Sequence, residues 1–161
     1  MDPNAIKEWA GALAPYVAFF AAFWAIHTYR RAKKVEVARL QNQIFDDLYL
    51  SGKFDGVREM LDFDYAERVE PVLVRVLDRS DAPVPKEDRA LLLNLDSFLN
   101  LFEFVLYLEQ DKKLLTSEDR NALLGYWTGW MGEPRHQRLR DYLREFDYEK
   151  LTKCLDARET A

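Results

Sequence analysis

An uncharged apolar run lies between Ala10 and Ile26, and basic residues follow it closely. With Trp9 before it and residues 27–29 after it, the run can form a helix of roughly 30 Å, which matches the hydrocarbon core of a bilayer. The pattern therefore predicts a transmembrane helix over residues 10–29. A cleaved signal peptide carries its basic residues before the apolar stretch, so we expect this segment to be retained.

The charges on the two sides of the predicted span differ and indicate its orientation. The preceding segment, residues 1–9, carries Asp2, Lys7 and Glu8. The segment that follows begins with a basic cluster, which consists of Arg30, Arg31, Lys33 and Lys34. Because basic flanks stay on the cytoplasmic side, we expect residues 1–9 to lie outside and the rest of the chain to be cytoplasmic. The basic cluster is also suited to anionic lipid headgroups, although topology alone explains it.

Small residues gather on one side of the predicted span. At about 100° per residue they fill a sector of roughly 120°, and they are Ala10, Gly11, Ala14, Ala18, Ala21, Ala22 and Ala25. Lipid supplies no hydrophobic force between helices, so close backbone approach along small residues is a main route to their association. The pattern predicts a packing face for another transmembrane helix, with a hetero-complex favoured over a homo-oligomer. A chance clustering of alanine is the alternative.

Helical periodicity continues through the rest of the chain, and no stretch alternates with a period of two. We expect a basic juxtamembrane helix over residues 30–50, ended by Ser51 and Gly52, and then a cytoplasmic helical domain over residues 51–161. The domain is predicted to be a bundle of about five to six helices, with a loop at residues 81–85. The predicted fold class is all-α, with one N-terminal transmembrane helix that continues into this bundle.

The most apolar helix of the bundle is predicted over residues 86–110, and we expect it to be central. Asp96, Asn100 and Glu103 share one of its faces, where they could contact a partner or line a cleft. A solvated surface or a structural hydrogen-bond network is the more ordinary interpretation. Burying these polar groups in lipid would be costly, which argues against a second span.

Two tryptophans lie three residues apart on a later helix, which is expected to start at Thr116 or Ser117 and to end at Gly132. Trp127 and Trp130 are candidates for partner contacts if they are exposed, because tryptophan dominates interface hot spots. At this spacing on an amphipathic helix, core packing is the alternative.

Composition narrows the class of protein. The chain of 161 residues has a net charge of −5, which disfavours a general nucleic-acid binder. Hydrophobic residues make up 48% of it, which is too rich for disorder. A single cysteine, Cys154, excludes an intramolecular disulfide and agrees with a reducing compartment. We expect one compact domain after the span.

Motifs of the common enzyme classes are missing. The sequence has no phosphate-binding glycine loop, no Gly-x-Ser-x-Gly elbow, no His-Glu-x-x-His and no cysteine cluster. We therefore expect no catalytic residues, no cofactor and no metal. An enzyme that acts at the membrane surface through Asp96, Glu103 or His136 is the least favoured interpretation.

Several segments together resemble a family of uncharacterised small bacterial single-pass membrane proteins with an all-helical cytoplasmic domain. The resemblance rests on the anchor with its basic exit, on residues 57–61 and 95–104, and on residues 125–127 with 142–143. It implies an all-helical fold, no assigned reaction and a location in the bacterial inner membrane. It supplies no catalytic residues.

These observations favour a non-enzymatic, membrane-anchored interaction protein. We expect an accessory or scaffolding subunit of a membrane protein complex, with membrane lipid and another transmembrane helix as its partners. The alternative is a self-associating membrane effector or regulator with a cytoplasmic sensing domain.

Overall fold

The computed structural model describes residues 3–78 and 84–159, with the backbone alone for residues 3–15, 17 and 159. The chain divides into two compact units, Met1–Leu40 and Gln41–Ala161. Every regular element of the described ranges is helical, and these ranges contain no strand. The all-α prediction is confirmed.

One long helix, α1, spans Pro3–Phe45. Its residues up to Leu40 belong to the first unit, and the remaining ones belong to the second. Large apolar side chains along α1 are exposed by 55% to 73%: Tyr16, Phe19, Phe20, Phe23, Trp24, Ile26 and Tyr29. The small residues Ala18, Ala21, Ala22 and Ala25 are exposed as well. Three further residues of the predicted packing face are described by their backbone alone, so their exposure is outside the description: Ala10, Gly11 and Ala14.

The second unit contains six further α-helices within its described residues. They are α2 (Asp55–Phe63), α3 (Glu70–Leu77), α4 (Lys86–Gln110), α5 (Ser117–Met131), α6 (Gln137–Glu145) and α7 (Glu149–Glu159). Two π-helical turns, Asp46–Leu50 and Tyr65–Val69, precede α2 and α3, and a 3₁₀ turn, Pro134–His136, precedes α6. The number of helices agrees with the predicted bundle.

Two of these elements differ from their predictions. The helix predicted over residues 30–50 ends at Phe45, and a π-helical turn, Asp46–Leu50, follows it. From Tyr65 to Leu77 the sequence predicts one helix, with Pro71 in its first turns or breaking it. The structure begins this segment with the π-helical turn, in which the Glu70 amide bonds to the Tyr65 carbonyl. In a regular helix the ring of Pro71 would clash with the carbonyl four residues earlier. The wider turn accommodates Pro71 at the start of α3.

Helix α4 lies at the centre of the second unit and contacts α2, α5 and α7. Its inward stripe is almost fully buried and comprises Leu95, Phe98, Leu99, Phe102, Val105, Leu106 and Leu108. The Phe98 ring meets the rings of Phe54, Phe102 and Trp127 at centroid distances of 5.4, 4.6 and 5.2 Å. Burial of such side chains, at about 1.5–3 kcal/mol each, makes this stripe the main core.

Among the described residues, α4 is also the one helix that is long and apolar enough to cross a membrane, with 39% of its most apolar window buried. The central helix of a folded domain passes the same test of length and composition. In this unit the apolar stripe of α4 forms the core.

A capping box fixes the start of α5. The Thr116 hydroxyl accepts a hydrogen bond from the Asp119 amide at 3.2 Å, and Asp119 Oδ2 accepts one from the Thr116 amide at 2.8 Å. Of the two cap positions that the sequence left open, Thr116 is the one used, because its hydroxyl reaches the third helical amide.

Candidate functional site

An open groove of about 440 Å³ lies between α2, α5 and the π-helical turn before α2. Eight residues line it: Tyr49, Asp55, Arg58, Glu59, Asp62, Phe63, Tyr126 and Trp127. We call it the α2–α5 groove. All of its residues belong to the second unit, and only Trp127 is among the sequence-predicted site residues.

Aromatic side chains form the apolar part of the α2–α5 groove. Phe63, the last residue of α2, is 82% exposed, and Tyr126 on α5 is 60% exposed. Trp127 is 1% exposed and meets the Tyr126 ring edge-on at 5.0 Å. Exposed aromatic rings grouped on a folded domain are typical of interaction sites.

Tyr49 anchors the end of the groove formed by the π-helical turn. Its hydroxyl donates a 2.8 Å hydrogen bond to the Leu123 carbonyl, and its ring meets that of Phe45 at 5.0 Å. Burial raises the pKa of the Tyr49 phenol, whereas Arg58 and Trp127 act to lower it. The phenol is therefore neutral at physiological pH and serves as a fixed aromatic wall.

The single cation of the groove is already paired. The Arg58 guanidinium forms an ion pair with Asp55 and lies 5.6 Å from the centre of the Tyr49 ring. Asp62 accepts a 2.7 Å hydrogen bond from the Tyr126 hydroxyl. The Glu59 side chain is exposed, and its carboxylate has no ion pair or hydrogen bond among the described residues. Three carboxylates against one guanidinium leave the groove negatively charged.

This arrangement is suited to binding. Aromatic faces and carboxylates together attract groups that combine apolar surface with positive charge. The lining contains no histidine, cysteine or serine. In the part of the chain that the structure describes, no three His, Cys, Asp or Glu side chains are grouped so that they could hold a metal ion.

The polar face predicted on α4 lies elsewhere and is largely engaged in internal hydrogen bonds. Asp96 Oδ1 accepts from the hydroxyls of Tyr142 at 2.7 Å and Tyr148 at 3.0 Å. Glu103 Oε1 accepts from the Leu151 amide at 2.7 Å, at the start of α7. Asn100 is exposed. In this structure the two carboxylates join α4 to α6 and α7.

Both tryptophans proposed as partner contacts are buried. Trp127 packs against Phe98, as described above, and Trp130 is 6% exposed and stacks on His136 with a centroid distance of 3.6 Å. Core packing, the alternative left open by the sequence, describes their placement, although Trp127 also borders the groove.

A buried polar cluster, which consists of His136 and Arg140, lies at the end of α5 and was not predicted from the sequence. His136 Nδ1 lies 2.6 Å from the Trp130 carbonyl, so Nδ1 carries the proton and donates it. Arg140 donates to the carbonyls of Met131 at 3.1 Å and Glu133 at 2.8 Å. Burial lowers the pKa of His136. The Arg140 guanidinium gives a partner to the Met131 carbonyl at the end of α5.

The three residues of the least favoured, enzymatic interpretation have separate partners. His136 bonds to a backbone carbonyl, Asp96 to two tyrosine hydroxyls and Glu103 to backbone amides. The structure gives no hydrogen bond or ion pair that joins any two of them.

One of the groove residues that were not predicted, Phe63, could have been recognised from its position in the sequence. Phe63 follows Leu61 by two positions, about 200° around the helix from it. The buried stripe of α2 consists of Val57 and Leu61, so Phe63 points off the buried face. A large apolar residue in that position at a helix end is a candidate for surface contact.

No protein-family model, curated protein or solved structure matches this chain. The resemblance to small bacterial single-pass membrane proteins therefore stays an expectation.

Proposed function

We propose that this protein is a non-enzymatic, membrane-anchored interaction protein, an accessory or scaffolding subunit of a membrane protein complex. Its helical domain docks a partner at the α2–α5 groove. The main support for the proposal is that Phe63 and Tyr126 are exposed in this groove. Tyr49 and Arg58, which also line it, already have partners within the domain.

The proposed anchor is residues 10–29 of α1. Support comes from the exposed rings along this helix, which include Phe19, Phe23 and Trp24, because lipid tails would cover such side chains. The basic cluster that begins at Arg30 is exposed, as expected for residues at a cytoplasmic membrane surface. In this proposal the anchor lies in a bacterial inner membrane, with the preceding residues outside and the helical domain in the cytoplasm.

The small-residue side of α1 is proposed to pack against another transmembrane helix. Ala18, Ala22 and Ala25 are exposed and lie on one side of the helix. A neighbouring helix could approach this side closely, which is how helices associate in lipid.

Site-specific photo-crosslinking in native membranes tests the proposal. A photoreactive amino acid is placed at Phe63 in one variant and at Leu93 in another, because Leu93 is also exposed, by 68%, but lies on α4 outside the groove. The membranes are irradiated and solubilised in mild detergent, and the products are identified by mass spectrometry.

We expect a defined membrane protein to be crosslinked at position 63 and not at position 93. Crosslinks at both positions to the same unselective set of proteins would contradict docking at the groove. A crosslink from position 63 to a second copy of this protein, in a discrete oligomer, would favour the self-associating effector over the accessory subunit.

A further inference from the structure

We propose that the occupant of the α2–α5 groove is an amphipathic α-helix of a partner protein that presents basic and aliphatic side chains. This inference rests on the proposed function and specifies its partner. It follows from the juxtaposition of aromatic rings, an unpaired carboxylate and helical backbone in one groove.

The charge of the groove selects a basic partner. Arg58 is neutralised by Asp55, whereas Glu59 has no internal partner among the described residues. A lysine or arginine of the partner helix, placed next to Glu59, would pair with the Glu59 carboxylate and could also contact the face of the Tyr126 ring. The same stretch of chain also carries Asp46 and Asp47 against one further cation without an ion pair among the described residues, Lys53, whereas Asp64 is paired with Arg68. The combined field of these charges favours the approach of a positive segment.

The apolar part of the groove selects aliphatic or aromatic anchors. The Phe63 ring is largely exposed, and the Tyr126 ring is held beside it by the hydrogen bond from its hydroxyl to Asp62. Fixed aromatic rings offer contact area at a low cost in conformational entropy. Leucine-type side chains at helical spacing would cover them.

The backbone of the groove favours a helix over an added β-strand. Both long walls, α2 and α5, use their backbone amides and carbonyls within their own helices, and no sheet edge exists among the described residues. A β-strand would find no free backbone groups in the groove with which to pair its own. A helix satisfies its own backbone and presents side chains only.

Fluorescence anisotropy with designed peptides tests this partner chemistry. The probe is a labelled peptide of about 18 residues, long enough for a marginal helix, with leucines along one face and lysines on the other. A twin peptide has glutamate in place of every lysine. The full-length protein is held in zwitterionic phosphatidylcholine nanodiscs, and empty nanodiscs provide the baseline.

Two variants remove the proposed contacts, and two matched variants make the same changes outside the groove. Glu59→Lys is matched by Glu67→Lys, and Phe63→Ser is matched by Leu93→Ser; all four residues are exposed. We expect the lysine peptide to bind about fivefold more weakly to Glu59→Lys and about tenfold more weakly to Phe63→Ser. The matched variants should stay within about twofold of wild type.

Equal binding of the glutamate peptide, or equal effects of Glu59→Lys and Glu67→Lys, would overturn the inference. If the crosslink at Phe63 identifies a partner but the lysine peptide does not bind, the partner chemistry is wrong and the proposed function stands. If neither occurs, both fail. An oligomer that is lost in Phe63→Ser, without peptide binding, would assign the groove to a second copy and overturn the basic partner helix.

Discussion

Tyr126 donates a 2.7 Å hydrogen bond to Oδ1 of Asp62 and thereby joins α5 to α2 beside the exposed ring of Phe63. The bond to this carboxylate is the main reason that the pKa of the Tyr126 phenol is raised. The hydroxyl therefore stays protonated and continues to donate throughout the physiological range. One rim of the groove is fixed before any partner arrives.

Asp96 should stabilise the packing of α4 against α6 and α7. Replacing it with alanine removes the acceptor for both Tyr142 and Tyr148, and we expect unfolding to become easier by about 1–3 kcal/mol. Asp96→Asn keeps an acceptor oxygen and should lose less. The measurement is chemical denaturation followed by circular dichroism. Asn100→Ala, an exposed change on the same helix, is the control, and an equal effect of the two alanine variants would contradict this role.

Glu103 should hold the first turn of α7. Its carboxylate accepts from the amides of Lys150 at 3.4 Å and Leu151 at 2.7 Å, as a capping side chain does. Glu103→Ala should cost about 1 kcal/mol and should speed hydrogen exchange in the first turn of α7 while leaving α5 protected. Unchanged exchange at Leu151 would show that the contact is not maintained in solution.

His136 should make stability fall as the pH drops through 6.5, the ordinary pKa of histidine. Burial lowers the pKa of His136 below its ordinary 6.5, so the unfolded state binds the proton more readily. The free energy of unfolding should be highest above pH 6.5 and should fall as the pH drops towards the folded-state pKa, where the loss levels off.

Denaturant midpoints at several pH values test the role of His136. We expect His136→Asn to flatten the pH dependence, whereas His27→Asn, the change at the other histidine of the chain, should preserve it. Parallel losses in wild type and His136→Asn would assign the effect to other groups.

Two glycines should respond to alanine in opposite directions. Gly125 lies within α5, and an added Cβ would meet nothing within 4 Å, so Gly125→Ala should stabilise by about 0.5–1 kcal/mol. Gly52 has φ of +73°, which an L side chain adopts with strain, so Gly52→Ala should destabilise. Thermal denaturation of both variants measures the difference, and shifts of the same sign would contradict it.

The small-residue side of α1 should determine association in the membrane. Ala18→Leu blocks close helix approach but leaves the span apolar, so the variant should insert normally and lose its transmembrane partner on purification in mild detergent. Phe19→Leu, on another side of the helix, should retain it. If both variants co-purify with the same partner as the parent, the packing face is wrong.

Much of the secondary structure was predictable because it depends on neighbours in sequence. The bounds of α4 at Lys86 and Gln110 follow from apolar periodicity after the loop predicted at residues 81–85, of which the structure describes residues 84 and 85, and the start of α5 follows from the hydroxyl of Thr116. The π-helical turn before α3 was not predicted, because periodicity does not reveal how the ring of Pro71 is accommodated.

The sequence by itself determined an all-helical chain, an apolar N-terminal segment with a basic exit and a central α4, because local hydrogen bonding and burial periodicity are written in adjacent residues. Only the tertiary structure decided that Asp96 meets tyrosines 46 and 52 positions away. It also decided that Phe63 and Tyr126, from separate helices, border one groove. Such pairings depend on how the helices pack. The sequence of a single helix does not indicate which side chains of another helix it will contact.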